Sequence, residues 1–146
     1  MCLKQIILVV IAATSVPATG LAMSNPVFHY EPENVKLSGT VEQQTFPGLP
    51  NYENIKTGDE AEKGWYLRLD RPIDVVASKK DVDPNAETEK DVKVMHLAFN
   101  PDASGAVVMK KVGEKVILSG HLIHRISGHQ HSRVLMWVDE VRERGK

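Results

Sequence analysis

The sequence predicts a mainly β domain, a small five-stranded OB-like barrel with one short helix between its third and fourth strands. Three observations lead there. Strand-like alternation of apolar residues recurs in five stretches, and a single helical signal falls between the third and fourth of them. Cys2 is the sole cysteine, so no disulfide can staple the sheet, and ring closure protects strand edges instead. A small β-sandwich is the alternative reading of the same pattern.

The first strand is read over 35–41, where Val35, Leu37, Gly39 and Val41 fall at every second position. A long loop follows over 43–64, carrying Pro47-Gly48-Leu49-Pro50 and the acidic residues Asp59, Glu60 and Glu62. The second strand, 65–69, sets Trp65, Leu67 and Leu69 on one face, and Pro72 limits how far it pairs. Residues 78–90 are polar and read as a loop. The third strand, 92–99, loses its alternation between Val94 and Met95, which predicts a bulge there. Residues 100–112 hold the short helix, with Ser104 as N-cap and Gly113 just past its end. Two longer strands, 115–126 and 133–141, are joined by the turn Ser127-Gly128-His129-Gln130-His131-Ser132.

The chain of 146 residues divides into a removable leader at 1–22, an extended segment at 23–33 and one β-barrel domain at 34–146. Lys4 precedes the apolar run 5–13, and Pro17 then breaks the segment ahead of small residues. That order is the signature of a secretory signal, with cleavage expected after Ala22. The run is too short for the roughly 20 residues of a spanning helix, so no membrane anchor is expected in the mature form. The expected address is periplasmic or secreted, and the expected mature protein contains no thiol for catalysis.

Hydrophobic residues make up 42% and charged residues 25%, the balance of an ordinary globular domain. Charge is unevenly spread. Residues 24–109 carry 9 basic and 15 acidic side chains, whereas 110–146 carry 8 basic and 4 acidic. The C-terminal quarter is therefore a candidate partner-facing region. Aromatic residues reach only 5%, which argues against a broad stacking surface and, with the export signal, against nucleic-acid binding.

Several stretches together resemble domain-of-unknown-function family 4431, a group of small exported bacterial proteins. They are Tyr30-Glu31-Pro32, residues 35–41, residues 45–53, Gly58-Asp59-Glu60, residues 69–73, residues 112–116 and Gly128-His129-Gln130-His131. The resemblance assigns no reaction. It implies cell-envelope or peptidoglycan biology, because similar domains occur fused behind lysozyme-inhibitor-like segments. The chain departs from the family pattern at His121.

Four of the six histidines, His121, His124, His129 and His131, fall within eleven residues. Imidazole is a common ligand for zinc, copper and nickel, and a site needs several donors converging on one point. His121 and His124 point to opposite strand faces, so His124, His129 and His131 form the candidate metal trio. Competing readings are hydrogen-bonded turn histidines and a surface that charges as pH falls. The stretch from Asp81 to Glu87 begins like a calcium loop but has Ala86 where glycine belongs, and reads as a solvated acidic loop.

No catalytic signature is present: no Gly-x-Ser-x-Gly, His-Glu-x-x-His or phosphate-cradling loop. The carboxylates Glu53, Asp59 and Glu62 offer acid–base pairs without any sign of differing environments, so a hydrolase ranks last. In an OB-like barrel the loops between strands 1 and 2 and between strands 4 and 5 flank the ligand groove. Phe46, Pro47 and Tyr52 in the first, with His129 and His131 in the second, are the candidate binding residues. The expected function is non-catalytic engagement of a cell-envelope protein or glycan, and no cofactor is required. A transition-metal-binding protein is the alternative.

Overall fold

The computed structural model describes residues 24–127 and 130–143. The predicted leader, the turn residues Gly128 and His129, and the last three residues lie outside this range. Six strands form one mixed sheet: β1 (Val27–His29), β2 (Asn34–Pro47), β3 (Ala61–Val76), β4 (Glu89–Ala98), β5 (Lys115–His124) and β6 (Val134–Glu143). Their order is β1-β3-β2-β5-β6-β4, and a further β3–β4 pairing closes the last five into a ring. Antiparallel pairing prevails, except that β4 runs parallel to β6 and β1 parallel to β3. The mainly β, five-stranded OB-like architecture is thus present, with β1 as an added short edge strand.

The first strand shows how alternation becomes core. Val35, Leu37, Gly39 and Val41 are all buried, while Lys36 faces solvent. They join Leu67, Met95, Leu118, Leu122 and Met136 in a core where the larger side chains are essentially inaccessible to water. Each such side chain contributes about 1.5–3 kcal/mol on leaving water. The ring is pinched where β5 meets β6: a Cβ on Gly120 would stand 1.9 Å from the Trp137 carbonyl oxygen. Beside it the ladder slips between Ser119 and Gly120, a bulge that bends the strand.

Four local expectations need correction, the last of them at the helix. The long loop read over 43–64 is strand at both ends, because β2 continues to Pro47 and β3 begins at Ala61, and the segment between them carries a 3-10 turn at Ile55–Thr57. β3 is also longer than expected, running on to Val76, although pairing is limited near Pro72 as expected: the ladder with β2 stops at Leu69 and that with β4 is interrupted between Arg68 and Ile73. The bulge belongs there and not between Val94 and Met95, which keep continuous register with Arg68 and Leu67. Val94 breaks the apolar alternation because it faces outward from the barrel, into the groove described below.

The helix α1 (Ala106–Lys110) follows an irregular helical turn, Pro101–Gly105. Asn100, not Ser104, caps this turn: its side-chain oxygen accepts from the Asp102 N–H at 3.0 Å. The Ser104 hydroxyl is occupied elsewhere, donating to the Val138 carbonyl at 2.6 Å and tying the turn to β6. α1 contributes Val108 to the core, and Gly113 follows with φ 85°.

Candidate functional site

The outer face of β2, β3 and β4 follows from register alone. Leu67 points inward, so its neighbours Tyr66 and Arg68 point outward. Across the ladders, Tyr66 stands opposite Glu42 on β2 and His96 on β4, and Gly64 stands opposite Gln44. Phe46 has the same parity at the end of β2, opposite Glu62.

On this face four rings stack in sequence. His131 lies flat on Phe46, with centroids 3.8 Å apart and planes within 8°. Phe46 tilts against Tyr66 at 5.8 Å, and Tyr66 stacks on His96 at 4.8 Å. Tyr66 is buried without joining the central core: the other rings and Gly64 cover it. A Cβ on Gly64 would come within 2.8 Å of the phenol ring, so only glycine permits this close approach.

Burial here is incompletely compensated. The Tyr66 hydroxyl and His96 Nδ1 are both sealed from water and have no hydrogen-bond partner among the described residues; Trp65 Nε1 shares that state. Such groups carry a desolvation cost of about 1–3 kcal/mol each until a partner is found. Burial, aided by the Glu62 charge, pushes the Tyr66 phenol up to about 12. Burial and the neighbouring His131 hold the His96 imidazole below its ordinary range, favouring its neutral form.

Beside the stack lies a groove of about 430 Å³. Val92, Val94 and Val134 give it an apolar floor, with Tyr66 at one side, and Glu89, Lys90 and Arg133 supply charge. The β5–β6 hairpin overhangs it. Gln130 shapes that hairpin by accepting from the Ile126 N–H at 2.7 Å and the Ser127 N–H at 3.2 Å. Ser132 then fastens it to β4, its hydroxyl oxygen accepting from the His96 N–H at 2.9 Å and its O–H donating to the Val134 carbonyl. Ser132 therefore holds His131 over the face that Phe46 and Tyr66 occupy.

The sequence-derived candidates divide accordingly. Phe46 and His131 meet directly, although 85 positions separate them in the chain. Pro47 ends β2 opposite Ala61. Tyr52 lies in the following loop with φ 57° and about a third of its surface exposed. His129 lies outside the described residues. His124 has different neighbours from His131: its ring meets Tyr30 edge-on at 5.8 Å, and its Nε2 lies 3.5 Å from Glu89 Oε1. His121 is placed beside Asp139, at 3.2 Å.

The β2–β3 loop is organised by an acid and not by its aromatic residues. Asp59 is buried and accepts from the backbone N–H groups of Asn51, Glu53 and Asn54, at 3.0, 2.8 and 2.8 Å, and from the Asn51 side chain. These bonds, led by those from Asn54 and Glu53, hold its carboxyl below the usual carboxylate range. A carboxylate so fully engaged is poorly suited to acid–base exchange with a substrate.

Tyr66 and His96 escaped the sequence reading because outward strand positions ordinarily meet solvent. The available signal was weak but real: a tyrosine and a histidine both fall on the polar parity of strands, where charged residues are expected. No protein-family model matches the chain, and no curated protein matches it. Among the described residues, no helix is long and apolar enough to cross a membrane.

Proposed function

We propose that this chain is an exported, non-catalytic binding protein that engages a cell-envelope protein through the groove between the β3–β4 face and the β5–β6 hairpin. The observation that carries the reading is the four-ring stack. It joins Phe46 at the end of β2 to His131 of the hairpin, over two buried polar groups that have no partner among the described residues. An apolar floor with charged residues around it is also the anatomy of a protein contact. A polypeptide lying on Val92 and Val94 would meet Glu89, Lys90 and Arg133 at the edges. Lifting the exposed His131 ring from Phe46 would open the way to the Tyr66 hydroxyl, whose unmet hydrogen bond favours engagement. Export and envelope residence enter this proposal from the leader pattern and the resemblance to the small exported family.

Site-specific photocrosslinking in exporting cells tests the proposal. A crosslinker at Val94, inside the groove, is compared with one at Val107, exposed on α1. The expected result is a discrete protein adduct from position 94 that is absent from position 107. Equal labelling from both positions, or none from 94, would reject the groove as the contact surface. An adduct that disappears on digestion with a glycan hydrolase would instead transfer the assignment to a glycan.

A further inference from the structure

At the end of the barrel where β5 finishes and β4 begins, side chains from different parts of the chain converge. Glu89 opens β4, Glu87 precedes it by two residues, and His124 closes β5. One potential ligand atom from each lies within 4.8 Å of the others. His124 Nε2 and Glu89 Oε1 are 3.5 Å apart. Donors bound to one tetrahedral zinc ion at about 2.0–2.2 Å stand roughly 3.3 Å from each other, so this pair already has the required separation. Glu87 is exposed and has freedom to complete the set.

Tyr30 supports the arrangement from behind. Its hydroxyl donates to the Glu87 backbone carbonyl at 2.9 Å, and the edge-on contact between the Tyr30 and His124 rings fixes the imidazole plane. Tyr30 itself is held by the Glu31 N–H, which donates to the Leu122 carbonyl at 2.8 Å. Outer groups that orient ligands in this way are a regular feature of metal sites. Arg133 pairs with the site: its guanidinium lies 3.4 Å from Glu89 Oε1 on a side chain that is about two-thirds exposed and can swing aside.

We propose that Glu87, Glu89 and His124 form a zinc site, with water filling the remaining position. One imidazole with two carboxylates suits a divalent first-row transition ion, whereas calcium and magnesium prefer oxygen alone. This ligand set is distinct from the histidine trio suggested by sequence spacing, since it takes His124 away from the hairpin and pairs it with β4. It does not depend on the groove assignment, although Glu89 and its partner Arg133 also line the groove's edge.

Calorimetric titration of the untagged full chain with zinc chloride, in a non-chelating buffer, tests it. The expected result is one-to-one binding that weakens at least about tenfold in His124→Ala and in Glu89→Gln, and that His131→Ala leaves unchanged. Tyr30→Phe should weaken it about tenfold through the lost hold on Glu87, and Arg133→Ala should tighten it by removing the competing cation. Glu87→Gln, at an exposed position, supplies the same reading should His124→Ala fail to fold. Absence of binding to the parent chain would overturn the site. So would binding that survives both Glu87→Gln and Glu89→Gln but disappears in a His129→Ala/His131→Ala variant, which would return the metal to the hairpin.

Discussion

The β2–β3 loop and the β5–β6 hairpin are both elaborations on a plain barrel, yet they treat their buried polar groups in opposite ways. The loop folds around Asp59 and meets its carboxylate with four donors. The hairpin lies over the face of Tyr66 and His96 and, among the described residues, leaves a hydroxyl and a ring nitrogen without partners. The first arrangement is complete in isolation, and its hydrogen bonds stabilise the loop. The second is stabilised by ring stacking but retains unmet capacity, as a surface awaiting a partner would. Elaboration alone is therefore a poor guide to a binding site. What separates the two regions is whether the polar groups they bury are satisfied.

The largest effect expected from breaking this contrast is at the stack. Tyr66→Ala removes the ring on which both Phe46 and His96 pack and should cost about 3–5 kcal/mol of stability, measured by urea unfolding. Next is Asp59→Ala, which orphans three backbone N–H groups at once. Amide exchange over residues 51–59 should accelerate about tenfold or more, with the barrel strands unchanged.

Both regions should lose stability in acid, but over different pH ranges. Asp59 has a lowered pKa in the folded state, so its contribution is present above the ordinary carboxylate range and is lost as pH falls through the folded value. Asp59→Asn should remove that part of the acid sensitivity. His96 is held neutral by burial, so the unfolded chain takes up its proton first, and stability falls as pH drops below about 6.5. His96→Phe should flatten this limb of the stability profile. His131→Gln should move the His96 titration upward, as followed by NMR of its ring protons.

Much of the barrel was legible in the sequence because alternation reports directly on which face is buried. Val35, Leu37, Gly39 and Val41 behave as their spacing predicts. Strand ends were less legible. Phe46 and Pro47 continue β2 although proline and polar neighbours suggest a loop, since pairing with Ala61 and Glu62 overrides local preference. Ser104 has the chemistry of a helix cap, but Val138 from β6 claims its hydroxyl. At the site, Phe46 and His131 were recognisable as loop residues of distinctive composition. Tyr66 and His96 were not, because their burial depends on a hairpin more than 30 positions further along the chain. No local pattern encodes that cover.

The smallest structural perturbation gives the most direct test of whether the unmet groups serve a partner. Tyr66→Phe deletes only the unpartnered hydroxyl, so stability should stay within about 1 kcal/mol of the parent or rise slightly. In the same variant, the yield of the Val94 photocrosslinked adduct should fall about fivefold, the worth of one hydrogen bond made only in the complex. Near-unchanged stability with that fall in adduct yield is the expected result. A stable variant that crosslinks as well as the parent would contradict it and leave the Tyr66 hydroxyl a tolerated defect of packing.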